Sequence, residues 1–446
     1  MENQNQAVAA WSRAHHLAFR FAFVYLILYF LPFPFGAFPH TVSLAQNYQS
    51  LWHKVVPWVG KHVLHVNHEI VTSTNCSGDT TYNFVLVLSY LGIALAASLL
   101  WFFLDRRHLN YQRIHEWLRL YVRLSLGAAL LLYGAGKIFE VQFPQPNFYK
   151  LLEPLGDFSP MSLLWTFTGA SRGYGLFTGC VMMFGGILLF VPRLTTLGAL
   201  VGLGVFSNIF ALNVGYDVPV KLYSFHLLLV CFFLVLPDAR RLVKFFLLNR
   251  IVTPSSEIAL FNHKRLNAGA LVAQLALGGF LFCAYLYRTH DYEKRNFGMA
   301  SKPPFYGIWI VHEFMIGGKV LPPLLTDETR WQRVVFQFPE KVGIQSMNGS
   351  WTRYWLRRDM ARKTFAMEIP NDPKKEFEFT FSNPDLRSLT LEGSDGGNEI
   401  RVKLDRVDES QSALLDSRLH WINEDSDFVT DEENVCDHLK PAGMSF

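Results

Sequence analysis

The sequence predicts an α-helical integral membrane bundle of about seven spans followed by a C-terminal all-β domain. Three observations lead there. Of 446 residues, 50% are hydrophobic and only 17% charged, against about a quarter charged in an ordinary soluble domain. The charge deficit lies before position 290, in apolar runs longer than a globular core uses, whereas the last third is normally charged. That last third shows short alternating segments separated by turn signals. The same arithmetic excludes a purely soluble enzyme and a disordered chain. With a formal net charge of only +4, it also excludes a nucleic-acid binder built on a basic surface. Five cysteines without a CxxC pair make no disulfide framework. Cys180, Cys231 and Cys283 sit in apolar runs as small hydrophobes, and Cys76 and Cys436 in polar segments far apart.

A spanning helix needs about 20 mostly apolar residues. Seven segments meet this: 17–35, 84–104, 118–139, 174–192, 194–214, 221–237 and 268–287. The first has no small-residue cleavage site before Pro32, Pro34 and Pro39, so it reads as a retained anchor. Basic loop residues set the orientation. Arg13, Arg106, Arg107, Arg113, Arg193, Arg240, Arg241, Lys244, Arg250, Lys264 and Arg265 fall on one side. Lys54, Lys61, Lys150, Arg172 and Lys221 fall on the other. The expected arrangement is a plasma (inner) membrane protein with a cytoplasmic N-terminus and an extracytoplasmic C-terminal domain. The long outer loop, 36–82, carries Trp52 and Trp58 between Leu44 and Val66, which suits a helix in the headgroup layer. Met161–Phe167 is a second such piece.

Alternation in Trp331–Phe338, Phe365–Ile369, Phe377–Phe381, Leu386–Leu391 and Ile400–Leu404 predicts short strands. The turn signals between them are Asn348-Gly349, Asn371-Asp372-Pro373 and Asp395-Gly396-Gly397. An antiparallel meander closing into a barrel or sandwich follows. Its opening, Tyr306-Gly307-Ile308-Trp309, resembles the lipocalin Gly-x-Trp start. That resemblance implies a barrel with an apolar interior, holding one small lipophile or filled by side chains, with Trp309 at its floor. The tail after Glu424 is acidic.

Ionisable residues inside a span cost about 2.5–3.5 kcal/mol at the bilayer centre, so their depth matters. Near the outer end of the third span stand Lys137 and Glu140, three apart and expected to share a helix face. Asn208, Asn213 and Asp217 close the fifth span, Lys221 and His226 open the sixth, and Arg172 and Tyr174 open the fourth. All fall in one outer layer. Singly, each has a structural explanation: Lys137 snorkels and pairs with Glu140, or His226 bridges helices. Together, Lys137, Glu140, Arg172, Asn213, Asp217 and His226 form a candidate ligand site. His62, His65 and His68 have metal-like spacing, but zinc needs three converging ligands and a metal is not favoured. Span glycines such as Gly173, Gly179, Gly186 and Gly204 suit close helix packing. No catalytic residue is assigned, and no nucleotide, haem or flavin motif is present.

Residues 118–242 resemble the DoxX-like family of small four-helix membrane proteins. The matching features are Arg123, Gly127 and Gly134-Ala135-Gly136-Lys137, the glycine-rich helix from Gly173 to Gly186, and the ending Pro237-Asp238-Ala239-Arg240-Arg241. The resemblance implies a four-helix core and points to redox chemistry, the family being named for a subunit of a thiosulfate:quinone oxidoreductase. This chain adds N-terminal spans (1–117), a loop and last span (243–290), a β domain (291–424) and an acidic tail (425–446). Three functions compete: a redox- or quinone-associated subunit, a protein that binds or transfers a lipophile between membrane and β domain, and a scaffold for a partner protein. Quinone is the cofactor class the first implies. The lipid bilayer is the partner all three share, and nucleic acid is a partner of none.

Overall fold

The structure, a computed structural model, describes residues 12–72, 77–105, 111–253, 259–296, 302–370, 372–383, 385–395, 397–408 and 412–415. Contacts divide the chain into Met1–Val407 and Asp408–Phe446; the described part of the second holds a 3-10 turn, Ala413–Leu415. Cys76, Cys436, Arg106, Arg107 and the acidic tail lie outside the described residues.

Among the described residues seven helices are long and apolar enough to cross a membrane, and they coincide with the seven predicted spans. In chain order the helices are α1 (Arg13–Phe30), α2 (Val42–His62), α3 (Thr81–Leu104), α4 (Gln112–Ile138), α5 (Phe148–Leu152), α6 (Pro160–Ala170), α7 (Arg172–Phe190), α8 (Thr195–Gly215), α9 (Lys221–Val235), α10 (Ala239–Leu242) and α11 (Lys264–Asn296). Side-chain caps start several of them: Ser12, Thr80, Ser159 and Ser171 each accept from a backbone N–H in the first turn of α1, α3, α6 and α7. The apolar stretch after α9 continues through a 3-10 turn, α10 and a π turn ending at Leu247, beyond the predicted end at 237. With 33 residues, α11 is about 50 Å long, so it outreaches a hydrocarbon layer of about 30 Å.

α4 is the central helix, with Leu118, Val122, Leu126, Leu130 and Leu131 fully buried. It meets α7 backbone to backbone. A Cβ on Gly134 would come within 2.9 Å of the Gly179 carbonyl, and one on Gly179 within 2.8 Å of the Gly134 carbonyl. Two turns away, Gly127 and Gly186 repeat the contact. Small residues are what lets helices in lipid approach this closely. Gly173 and Gly204 have open space instead, so the packing explanation does not reach them. α2, expected in the headgroup layer, packs Trp52 and Val56 against the cluster formed by α1 and α3 and exposes Leu44, Leu51 and Trp58.

The C-terminal domain is an antiparallel barrel. Its strands are β1 (Gly307–Ile316), β2 (Lys319–Val320), β3 (Trp331–Phe338), β4 (Lys341–Ser346), β5 (Trp351–Asp359), β6 (Thr364–Ile369), β7 (Asp372–Ser382), β8 (Ser388–Asp395) and β9 (Asn398–Arg406). β1 pairs with both β3 and β9, which closes the sheet, and β2 is a two-residue flap on β1. Eight strands enclose a space that side chains just fill. Here Trp309, Phe314, Phe336, Phe365, Phe379 and Phe381 fill it, with aliphatic residues between them. Trp309 is 1% exposed, and its indole N–H donates to the Phe305 carbonyl at 2.8 Å. The Phe305 ring in turn packs on Trp309, Phe336, Phe365 and Phe381.

β4 and β5 were not expected from the pattern. In β4 both faces are covered, Val342 and Ile344 inside and Gly343 outside, so alternation vanishes. In β5 the outward positions include Trp351 and Trp355, and only Leu356 joins the buried interior. Trp309→Ala should cost about 3–5 kcal/mol of barrel stability, as removal of a large buried aromatic does. The check is the barrel's melting transition in the full chain; a loss below 1 kcal/mol would contradict its place in the core.

Candidate functional site

α4 ends just past Lys137. Phe139 caps it, and Glu140 turns away at a φ of 55°. Lys137 and Glu140 therefore do not share a helix face, which corrects the expected pairing. Glu140 instead meets Arg172 at the start of α7, at 2.9 Å. Burial raises the Glu140 carboxyl above its ordinary 4.5; Arg172 opposes the rise and Glu293 adds to it.

Lys137 turns the other way. It is 9% exposed, and its Nζ lies 4.2 Å from the centre of the Phe143 ring. Among the described residues no carboxylate stands within ion-pair distance of it. It lines a cavity of about 540 Å³ with walls from α4, α6, α7, α8 and α9. Most of the lining is apolar, including Leu164, Trp165, Met182, Val205, Phe206 and Leu227. The cavity is open on one side, and Phe177 of its lining is 65% exposed. Its polar lining, besides Lys137, includes Tyr133, Gln142, Asn208, Asn213, Tyr223 and Ser224. The Asn213 amide donates to the Ser224 hydroxyl at 3.0 Å, and that hydroxyl donates back to its own helix at Val220 and Lys221. Among the described lining residues Lys137 is thus the one charged side chain.

Of the other candidates, Asp217 is mostly exposed and pairs with Lys221 at 2.7 Å. His226 sits behind the cavity wall as a saturated core histidine. Its Nδ1–H donates to the Leu222 carbonyl at 2.6 Å, its Nε2 accepts from the Tyr25 hydroxyl at 2.5 Å, and its ring stacks on Tyr29. Lys137 and Asn213 are therefore brought together, while Glu140, Arg172, Asp217 and His226 are spent elsewhere. α2 stops at His62, whose Nδ1–H donates to the Trp58 carbonyl, and His65 follows at a φ of 52°. His68 faces Thr81, so the three histidines do not converge. Among the described residues no three His, Cys, Asp or Glu side chains form a metal-holding group.

Sequence reasoning missed the roof. The loop after α4 folds Gln142 and Phe143 over the cavity, and the Pro144 carbonyl lies so close to Gly169 of α6 that a Cβ there would be 2.2 Å away. The loop then enters α5, which docks on the outside of the barrel. Phe148 packs with Ile308 and Val335, and its N–H donates to the Gln337 side chain at 3.0 Å. Tyr149 lies across β4 where Gly343 has no side chain: a Cβ there would be 2.5 Å from the Tyr149 hydroxyl. The Arg353 guanidinium stands over the same ring, opposing the rise that burial gives its phenol pKa. Asp79, also unpredicted, caps α9 from the first loop, accepting from the N–H groups of Lys221 and Leu222.

The fold and the cavity define a polytopic helical membrane protein with a β-barrel docked through α5 and a largely apolar pocket below the docking loop. No family model matches the chain, and no solved structure matches it. The uncharacterized protein YwoB of Bacillus subtilis (strain 168) is 30% identical over 124 residues, which cover 28% of this chain and 79% of that protein. The chain belongs to the family of that protein.

Two outcomes follow from the geometry. Gly343→Leu should displace Tyr149 and raise hydrogen exchange across 146–152 while the barrel's own amides stay protected; unchanged exchange would mean that α5 is not held by this contact. A carboxyl with a raised folded pKa is favourable to folding below its ordinary 4.5 and loses that advantage as pH rises through the folded value. Glu140→Gln should therefore flatten the fall in melting temperature just above pH 4.5, and an unaltered profile would contradict its burial.

Proposed function

We propose that this chain binds a lipophilic small molecule with a hydrogen-bond-accepting head in the cavity below the docking loop. It does so as a DoxX-like protein of the plasma (inner) membrane, with its N-terminus cytoplasmic and its barrel extracytoplasmic. The observation that carries the reading is Lys137, a buried ammonium facing an apolar pocket with no carboxylate beside it among the described residues. A buried charge is costly unless it is paired, and the Phe143 face supplies only about 0.5–2 kcal/mol of cation–π attraction. A ligand oxygen at Lys137 supplies the missing partner. A quinone, with carbonyl acceptors on an apolar ring, fits this description, as does a carboxylate on an apolar body. In the redox-associated reading the quinone is the bound molecule, and a partner protein supplies the electrons. The barrel interior is filled by side chains, so the ligand belongs in the bundle.

The experiment is organic extraction of the detergent-purified protein, with mass spectrometry of the extract. Wild type should carry a stoichiometric lipophile and Lys137→Met at least tenfold less. Asp217→Asn, altering the exposed pair outside the cavity, should retain it. An empty wild-type protein, or equal content in Lys137→Met, would reject the proposal.

A further inference from the structure

At the other end of the bundle the same helices enclose a second cavity, of about 850 Å³. The early turns of α4, the α7–α8 junction, α10 and the start of α11 form its walls. Its charged lining is Arg119, Arg123, Arg193 and Arg241 against Glu116 and Asp238. Asp238 is already engaged, accepting from Arg241 at 2.5 Å and from the Thr196 hydroxyl at 2.5 Å. Glu116 reaches Arg119 only at 3.5 Å, and the Arg119 Nε is buried without a hydrogen-bond partner. Arg193 is exposed at the mouth. The described lining therefore holds two more cations than anions, all of them guanidinium groups. The planar fork of guanidinium donors matches phosphate oxygens better than any other common anion except carboxylate.

The rim decides the source of the phosphate. Leu197, Phe245 and Leu260 line the same cavity, and next in sequence Phe246 and Leu247, between Lys244 and Arg250, and Ile251, directly after Arg250, stand exposed. Exposed apolar side chains interleaved with basic ones are the pattern of a segment seated at the boundary between headgroups and acyl chains. Basic pockets between spanning helices hold anionic headgroups in this way. We propose that this cavity is a binding site for the phosphate headgroup of an anionic phospholipid, its acyl chains lying along the apolar rim. A soluble phosphate would use the arginines and leave the rim idle. In the proposed orientation the site faces the cytoplasmic leaflet. The inference is independent of the ligand held at Lys137.

The test is native mass spectrometry and thermal melting of the full-length protein in neutral detergent. Phosphatidylglycerol, phosphatidylcholine and sodium phosphate are added separately at equal concentration. Phosphatidylglycerol should give a resolved one-to-one adduct and raise the melting temperature by several degrees, while the other two leave it unchanged. Arg193→Gln, an exposed substitution that leaves the fold intact, should weaken the adduct several-fold. Arg119→Lys should do so too, because it keeps the charge and removes the fork. Equal binding of phosphatidylcholine would reduce the site to unspecific annular lipid, and an equal response to sodium phosphate would make it a solute site; either overturns the proposal. Wild-type affinity in both variants would overturn the role of the arginines.

Discussion

The backbone contact between α4 and α7 is the constraint on which the cavity depends. The Gly134–Gly179 and Gly127–Gly186 approaches bring the two helices together without side chains between them. Dispersion attraction and the absence of an intervening Cβ, not hydrophobic burial, drive such association in lipid. One turn beyond Gly134, Lys137 is carried on the end of α4, and its own carbonyl lies close to Gly175 of α7. With α7 drawn against α4 here, the remaining space opens toward α8 and α9, and Lys137 points into it.

The seven spans were legible because length and apolar composition alone define a crossing helix, independent of what each one packs against. Lys137 and Asn213 were legible from depth, since a polar residue in a span is conspicuous. What surrounds them was not. The Lys137–Glu140 pairing assumed a helix continuing through 140, and only the backbone turn at Phe139 and Glu140 undoes it. His226 was marked as a site residue because its satisfying partner, Tyr25, stands 201 positions earlier in the chain. Gln142 and Phe143 belong to a loop with no periodicity to read. The strand β4 hid for a related reason: Tyr149 of α5 covers its outer face, so both faces are buried and the two-residue period disappears.

The barrel acts on the rest of the molecule from its outer surface. Its interior is filled, and its contribution to the cavity is indirect, through α5. The loop from Ile138 to Phe148 is held at one end by α4 and near its middle by Gly169 of α6, and α5 at its other end lies on Ile308, Val335 and Gly343. Ordering a residue costs about 1–2 kcal/mol of backbone entropy, so a roof of this length stays in place only where packing at several points offsets that cost.

The α4–α7 pair also seats the last span. α11, which precedes the barrel in the chain, packs Leu281 among Ala128, Leu131, Met183 and Phe190 of α4 and α7, and Gly278 admits the Phe190 ring at a separation that any Cβ would block. The shown packing contact between the barrel and the helical part is that of α5, which also carries the roof loop. The pair of helices that carries Lys137 therefore also seats α11, and the loop that leaves α4 at Ile138 forms the roof before α5 reaches the barrel. Cavity wall and roof both start from α4, so its contact with α7 fixes where each of them begins.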